Sequence, residues 1–501
     1  MNVAAELSKI VGSDNFTDDP VLLQAYRDTL YPVDVPMPFG VALPQSADQV
    51  QAIVKLCGET ELPITPIAVG APLNGPTLCA PGGLILDFCL MNKIISIDPD
   101  ELVAVIEPGV TIGQMVKALE PYKLMAQYPN SSPLTSVLAS MVMMRGVGQY
   151  ATKYGLGDSF VNGVEAILGT GEKIVTGSAA LEGADWHYRH CFGPDLTGIF
   201  IGSLGTMGLV TKAAIRLSPI PESTWGLALG FDAIEDAMAP ISHIAKYQMA
   251  DYINGQHWYA GATTGDDYPW EVTGGKAPLP DEYMREWRKR KGLPNIWFHM
   301  AIGGSPAEIE VRKKQLLDYL SSRNITPMDM SNDPWFQVRN VQLQGVINCS
   351  SARFCRHRGG GWVSLVMLAP IKKWGEILEP LVEKGKTLGF DPTYLLKVYG
   401  PYGHSSQCRF VVSFDKGSPD ERARAFAFTE TVAKHAVEKG ANVHRQTMHP
   451  EIIQSRQPEY FALLKLIKSL VDPKCILNPG VLNLSKETLA YRQGGEAEDA
   501  G

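Results

Sequence analysis

The chain has 501 residues, 45% of them hydrophobic and 20% charged, with a formal net charge of −8. That is an ordinary globular composition, long enough for two or three domains, and its acidic balance excludes a nucleic-acid partner held on a broad basic surface. No uninterrupted apolar run has the length of a membrane span, and the first residues, MNVAAELSKIVGSDNF, lack the basic and apolar regions of a secretory signal.

Taken in order, the first strong element is PQSADQVQAIVKLCGE. Ser46 caps a helix, Gln49 stands at the capping-box position, and Val50, Ile53, Val54 and Cys57 form one apolar face. LPITPIAVGAPLNGPTL follows as a short apolar strand broken by Gly70, Pro72 and Gly75. GGLILDF and ELVAVIEPGVT read as strands and IGQMVKALE as a helix, so strand and helix alternate as in α/β or α+β proteins. GPDLTGIFIGSLGTMGLVTKAAIRL (193–217) is apolar yet carries glycines at 193, 198, 202, 205 and 208. Glycine weakens helix and strand interiors, so these positions point to unusual backbone or a close approach. VGAPLNGP (69–76) and RGVGQYATKYGLGD (145–158) add two more glycine-rich stretches. Backbone N–H groups in such loops can hold a phosphate without a cation. The same loops also serve as ordinary turns, and no Walker lysine follows any of them.

After Pro221 the texture changes to repeated strand–helix units. NIWFHMAIGG leads into a helix with Ser305 as N-cap, Pro306 at the first position and Glu308 completing a capping box. GGGWVSLVMLAP leads into IKKWGEILEPLVEKGKTLGF, and RFVVSFDKG into a helix opened by Ser418, Pro419 and Glu421 and closed by Gly440. The pattern predicts one sheet with helices on one face. FALLKLIKSLVDPKCILNPG reads as an amphipathic helix and a turn. The expected units are therefore residues 1–220, 221–454 and a C-terminal segment 455–501. The cysteines at 57, 79, 89, 191, 349, 355, 408 and 475 form no CxxC pair, which favours reduced, buried thiols in a reducing, cytoplasmic compartment.

LILDFCLMNKIISIDPDELVAVIEPGVTIGQMVKAL (84–119) contains an aspartate-ended strand, an MNKI turn and an EPGVT turn in that order. Together with RGVGQYATKYGLGDSFVNGVEAILGTGEKIVTG (145–177), FGPDLTGIFIGSLGTMGLVTKAAIRLSPIP (192–221) and VDPKCILNPG, it resembles the vanillyl-alcohol oxidase/4-cresol methylhydroxylase family. It also resembles the related glycolate oxidase and D-lactate dehydrogenase branch. The resemblance implies an α+β fold: a PCMH-type FAD-binding domain (1–220), a substrate-binding cap domain with an antiparallel sheet under helices (221–454), and a C-terminal segment (455–501) returning to the first domain. It implies FAD contacts from Val69, Gly70, Ala71, Pro72, Leu73, Asn74, Pro133, Ser136, Arg145, Gly146, Gly148, Gln149, Tyr150, Gly155, Gly208, Leu209, Val210 and Asn478. Asn74 and Pro76 replace the glycines and aromatic residue usual in the first loop, and Gln149 and Lys153 alter the second.

The same resemblance implies an oxidoreductase that takes a hydride from a para-substituted phenol or aromatic alcohol to the flavin N5. A 2-hydroxy acid dehydrogenase, or an electron-relay subunit, stands as the alternative. The family's phenolate-binding Tyr–Arg pair aligns with His444–Arg445, and arginine suits an anionic oxygen. The flavin-anchoring histidine falls at Gln407 or Cys408, so the FAD is expected to be non-covalent. His404 matches the first histidine of GHxGDGNLH in the acid branch, but Val411 stands at the second, so no metal is expected and His404 is a substrate-facing candidate. NSSPLTSV (130–137) holds no acid where the family's catalytic aspartate falls. Arg353, Arg356, His357 and Arg358 form a cationic cluster able to bind an anionic substrate or a partner. An electron-acceptor protein (a cytochrome or an electron-transfer flavoprotein) and a homo-oligomer or complex are the partners implied.

Overall fold

The computed structural model describes residues 1–68, 77–128, 134–135, 137, 142–148, 150–259, 278–329, 360–400, 405–444 and 448–484. The first half holds two sheets. One contains β1 (Phe16–Thr17), β2 (Gly40–Ala42), β3 (Ile64–Ile67) and β4 (Leu84–Asp87) in the order β1-β2-β4-β3. Its β2–β4 and β3–β4 pairs are parallel. The helix Ala47–Thr60 is the crossover between β2 and β3. Ser46 Oγ caps it by accepting from the Gln49 N–H at 3.3 Å, and Val50, Ile53, Val54 and Cys57 are fully buried under the sheet. Gln49 reaches back to the N–H of Gln45, one residue before the cap.

The second sheet contains β5 (Ile94–Asp98), β6 (Val103–Ile106), β8 (Val161–Ile167), β9 (Lys173–Val175) and β10 (Leu209–Arg216), all antiparallel, in the order β5-β6-β10-β8-β9. A two-stranded ribbon, β7 (Leu124–Met125) with β11 (Ser218–Pro219), lies beside it.

The third sheet is antiparallel throughout. Its seven strands are β12 (Ser223–Phe231), β13 (Tyr252–His257), β14 (Ile296–Gly304), β15 (Gly360–Pro370), β16 (Thr393–Tyr399), β17 (Ser405–Asp415) and β18 (Asn442–His444), in the order β12-β14-β13-β16-β17-β15-β18. Alternation decides what each face meets. Leu229, Phe298, Ile253, Leu396, Cys408, Met367 and Val443 point to one side. There they pack against the helices Ile234–Lys246, Pro306–Ser322, Trp374–Thr387 and Pro419–Glu438. Ser305 and Glu308 form the expected capping box, and Ser418 caps the last of these helices.

The C-terminal helix Pro458–Val471 departs from a simple amphipathic reading. It exposes Leu463, Leu466 and Leu470 and buries Lys468. The lysine is inside because its ammonium is fully solvated by protein. It donates to the carbonyls of Thr206 (2.6 Å) and Leu477 (3.0 Å) and pairs with the Asp472 carboxylate. Asp472, itself fully buried, also accepts the N–H groups of Ile476 and Leu477. A buried charge is tolerable only with such partners. The pair pins the 472–478 turn to the 202–208 loop. Among the described residues no helix is long and apolar enough to cross a membrane, and no cluster of three or more His, Cys, Asp or Glu is arranged to hold a metal.

Candidate functional site

Four segments converge at the start of β3. The N–H of Asn478 donates to Ile64 O (2.7 Å), and that of Ile64 to Ile476 O (2.7 Å). The Asn478 side-chain amide donates to Leu204 O (2.7 Å). Leu204 N–H donates to Met143 O, and Gly202 N–H to Val142 O. The turn at 476–478, the glycine loop 202–208, the 142–148 loop and β3 thus share one hydrogen-bonded node.

The glycines of the 202–208 loop have separate reasons. Gly202 (φ +77°) and Gly205 (φ +78°) lie in the left-handed region, and a Cβ on Gly205 would stand 2.5 Å from Pro66 Cγ. Gly208 has an ordinary φ but faces the Phe200 ring, 2.8 Å from where its Cβ would be. Two buried hydroxyls of these segments, Thr65 on β3 and Ser203, have no hydrogen-bond partner among the described residues, and neither does that of Thr77, just after the first glycine-rich stretch. A buried unpaired hydroxyl is costly, so such groups mark the wall of a polar ligand site.

The second loop reaches the other way. Gly155 takes φ +91°, with the Gly400 carbonyl 3.0 Å from its virtual Cβ. The short helix Ala151–Tyr154 is wedged into the seven-stranded sheet. Thr152 Oγ1 donates to Val398 O (2.7 Å) and accepts from Ile253 N–H (3.0 Å), while Gly400 N–H donates to Ala151 O. Tyr150 is buried beside it, and burial pushes its phenol pKa up.

Register then sorts the residues of the sheet face turned toward this loop. One cross-strand row runs Val366, Arg409, Leu395, Gln256, Trp297, with His444 paired to Val366. The next runs Leu368, Gln407, Lys397, Asn254, His299. Gln256, Gln407, Asn254 and His299 are all under 7% exposed, so this polar face is covered. The Lys397 ammonium reaches across to the Gly148 carbonyl (3.4 Å), and Tyr399 packs on Val147 and Ala151. Burial raises the pKa of Tyr399, against the lowering influence of its bond with Ser405 and of nearby Arg145. The second glycine loop and the polar sheet face are therefore in direct contact, through Lys397, Tyr399 and Thr152.

Of the sequence-predicted residues, the structure brings Arg145, Gly146, Gly148, Tyr150, Gly155, Gly208 and Asn478 to the hydrogen-bonded node or to the loop–sheet contact. Arg145 itself has φ +47° and lies against Gly202. Leu209 and Val210 open β10 with buried side chains, leaving only their backbone for a ligand. His444 is placed at a register position of β18. Gln407 shares the polar face, whereas Cys408 points into the helix-side core, where burial raises its thiol pKa well above the ordinary value. Val69, Gly70, Ala71, Pro72, Leu73, Asn74, Pro133, Ser136, Gln149, His404, Arg445 and the Arg353–Arg358 cluster lie outside the described residues. Sequence reasoning missed Thr65, Ser203, Lys397, Arg409 and the Lys468–Asp472 pair. Only the last left a signal, a lysine in an apolar helix four residues before an aspartate.

A family model described as an FAD binding domain matches residues 38–177. The flavoprotein subunit of 4-cresol dehydrogenase (hydroxylating) from Pseudomonas putida is 27% identical over 94% of this chain and 93% of that protein. Glycolate oxidase subunit GlcD from Bacillus subtilis is 32% identical over 48% of this chain and 50% of that protein. The crystal structure of p-cresol methylhydroxylase with substrate bound superposes with a TM-score of 0.87 at 24% identity over 96% of both chains, a likeness of fold. The cofactor these comparisons indicate, FAD, fits the node: left-handed glycine backbone, orphaned hydroxyls at Thr65, Thr77 and Ser203, and no cation needed for a diphosphate.

Proposed function

We propose that this chain, an FAD-dependent oxidoreductase with the p-cresol methylhydroxylase fold, abstracts a hydride from a para-substituted phenol or a related aromatic alcohol. The observation that carries this reading is the match over 94% of this chain to the flavoprotein subunit of 4-cresol dehydrogenase, taken with the fold likeness to p-cresol methylhydroxylase; a D-lactate dehydrogenase match over 90% of this chain supports the second reading. The second reading, a 2-hydroxy acid substrate, rests on His404 at the first histidine of GHxGDGNLH and weakens at Ser406 and Val411, where the acid branch has its second glycine and second histidine.

FAD, when bound, supplies the hydride acceptor; the chain supplies position and charge. In this reading residues 1–220 hold the cofactor through the loops at 69–76, 145–155 and 202–210 and through Asn478. Residues 221–454 form the substrate wall, and 455–501 close the cofactor side. Arg445, with His444 beside it on the edge strand, holds the anionic oxygen of the substrate, and His404 faces the substrate. Gln407 occupies the sheet position facing the cleft and offers no nucleophile for attachment, so the cofactor is held non-covalently and acid precipitation should release all of it. The electrons then leave to an acceptor protein, with the chain working as a homo-oligomer or a complex subunit.

Anaerobic titration with para-alkylphenols, aromatic alcohols and 2-hydroxy acids tests the reading, since only a substrate bleaches the flavin bands. Bleaching by hydroxy acids alone would replace it with the second reading, and no bleaching by any of them would leave an electron-relay subunit. Arg445→Ala is expected to keep FAD and to lose about 30- to 1,000-fold in kcat/KM, the cost of one charge-assisted hydrogen bond at a desolvated site.

A further inference from the structure

Arg409 lies on the polar face of the seven-stranded sheet. It sits in the Val366–Trp297 row of the polar sheet face, paired to Val366 on one side and Leu395 on the other. Its guanidinium lies over the Trp362 ring, 5.6 Å from the centroid. Among the described residues it has no carboxylate partner. Lys468, Arg312, Arg189 and Lys212, also removed from full exposure, each have one.

The neighbouring group is Tyr31. It is 1% exposed, its hydroxyl has no hydrogen-bond partner among the described residues, and it lies within electrostatic reach of Arg409. The segment carrying Tyr31 is fixed there by the sheet: Trp362 N–H donates to Leu30 O (3.0 Å), and Asp34 and Asp28 pair with Arg422 and Lys416. A third unpartnered donor, the Asn254 side-chain amide, is 3% exposed on the adjacent row. A guanidinium fork with a phenol O–H beside it matches a carboxylate, which takes two parallel N–H donors and an O–H donor. Among the described residues no other group hydrogen-bonds the Tyr31 hydroxyl or the Asn254 amide nitrogen.

We propose that Arg409, assisted by the Tyr31 hydroxyl, is a carboxylate-binding subsite of the substrate cleft, and that the substrate is an aromatic alcohol or phenol that also carries a carboxylate. This rests on the oxidase reading above and narrows it. The backbone of His444 is two strands from that of Arg409, about 9–10 Å by the usual inter-strand spacing. That matches the span of a para-disubstituted ring from a phenolic oxygen to a carboxylate on a short arm. The carboxylate end of the substrate would then lie at Arg409 and its other end toward β18 along the same row.

The test compares an acid with its neutral ester on the FAD-loaded protein. By calorimetry, 4-hydroxybenzoate, which has no oxidisable benzylic hydrogen, is expected to bind at least 10-fold more tightly than methyl 4-hydroxybenzoate. Arg409→Gln should erase that preference, Arg409→Lys should keep part of it because a point charge replaces the fork, and Tyr31→Phe should reduce it about threefold. Equal binding of acid and ester by the wild type, or a preference that survives Arg409→Gln, overturns the subsite. If Arg409→Gln fails to load FAD, the wild-type, Arg409→Lys and Tyr31→Phe measurements still decide. Turnover of 3-(4-hydroxyphenyl)propionate against 4-ethylphenol separates this from the parent reading. If no phenol bleaches the flavin yet the acid preference vanishes in Arg409→Gln, the subsite stands and the phenol reading fails. If D-lactate bleaches it and binds through Arg409, the carboxylate is that of a hydroxy acid.

Discussion

The two walls of the proposed cleft are made in opposite ways. The wall proposed for the cofactor is backbone: carbonyls and N–H groups of Ile64, Leu204, Met143 and Asn478, held by glycines at Gly202 and Gly205. The facing wall is side chain: Asn254, Gln256, His299, Lys397, Gln407 and Arg409 projecting from five-residue-wide rows of a regular sheet. A backbone wall depends on dihedral angles and on the latch that closes it, so it should fail by losing cofactor. A side-chain wall rides on a sheet whose stability lies in its other face, so it should change selectivity while the sheet survives.

The sharpest break is at the latch. Asp472→Ala leaves the Lys468 ammonium buried without its counter-charge and strips two backbone N–H groups of their acceptor. Breaking a buried pair by removing one partner costs on the order of 3–5 kcal/mol. Denaturant unfolding should show that loss together with loss of FAD. Retained FAD and a loss under about 1 kcal/mol would mean the pair is not the closure. Next in size is Gly205→Ala. It adds a left-handed penalty of about 1–2 kcal/mol to a clash with Pro66 that the ring cannot easily yield to. FAD retention on a desalting column is the readout, and a normal FAD content would place the cofactor away from this loop.

The seven-stranded sheet supplies the contrasting case. His257 sits on its helix side, against Tyr394 with ring centroids 4.9 Å apart. Burial first, then Lys386 and Arg288, push its pKa down to about 3. The unfolded chain binds this proton below about pH 6.5 while the native chain does not until about pH 3, so stability falls as pH drops through that window. The slope from this group is about 1.4 kcal/mol per pH unit. His257→Gln should flatten the dependence between pH 6 and 4 without changing FAD content at neutral pH. An unchanged slope would show that this histidine is protonated or exposed in the native state.

How much was legible in the sequence follows the same division. The helix caps at Ser46, Ser305 and Ser418 were readable because a cap is a local event of four residues. The glycine loops were readable because glycine is the one residue whose cost announces an unusual backbone. The polar sheet face was not. In YLLKVYG and SSQCRFVV the alternation is visible, but which alternate residues meet the helices and which meet the cleft depends on cross-strand register. Arg409 looked like any strand arginine until Trp362 and Tyr31 were found beside it. Lys468 lies in a helix that reads as amphipathic, yet it is that helix's most buried residue, held inside by Asp472 and the loop carbonyls.

The smallest predicted effect tests whether the orphaned hydroxyls belong to the cofactor. Thr65 is fully buried on β3, with no partner for Oγ1 among the described residues. Thr65→Val keeps the shape and the β-branch and removes only the hydroxyl. If that hydroxyl is waiting for FAD, the loss is one hydrogen bond, about 0.5–1.5 kcal/mol, which is roughly a two- to tenfold weaker FAD affinity. The apoprotein should at the same time become no less stable, and slightly more so, because a buried group without a partner has been removed. Fluorescence titration of FAD into apoprotein, paired with thermal unfolding of the apoprotein, reads both quantities. A loss of apoprotein stability with unchanged FAD affinity would instead assign Thr65 to the fold, and the orphaned hydroxyls would no longer mark the cofactor wall.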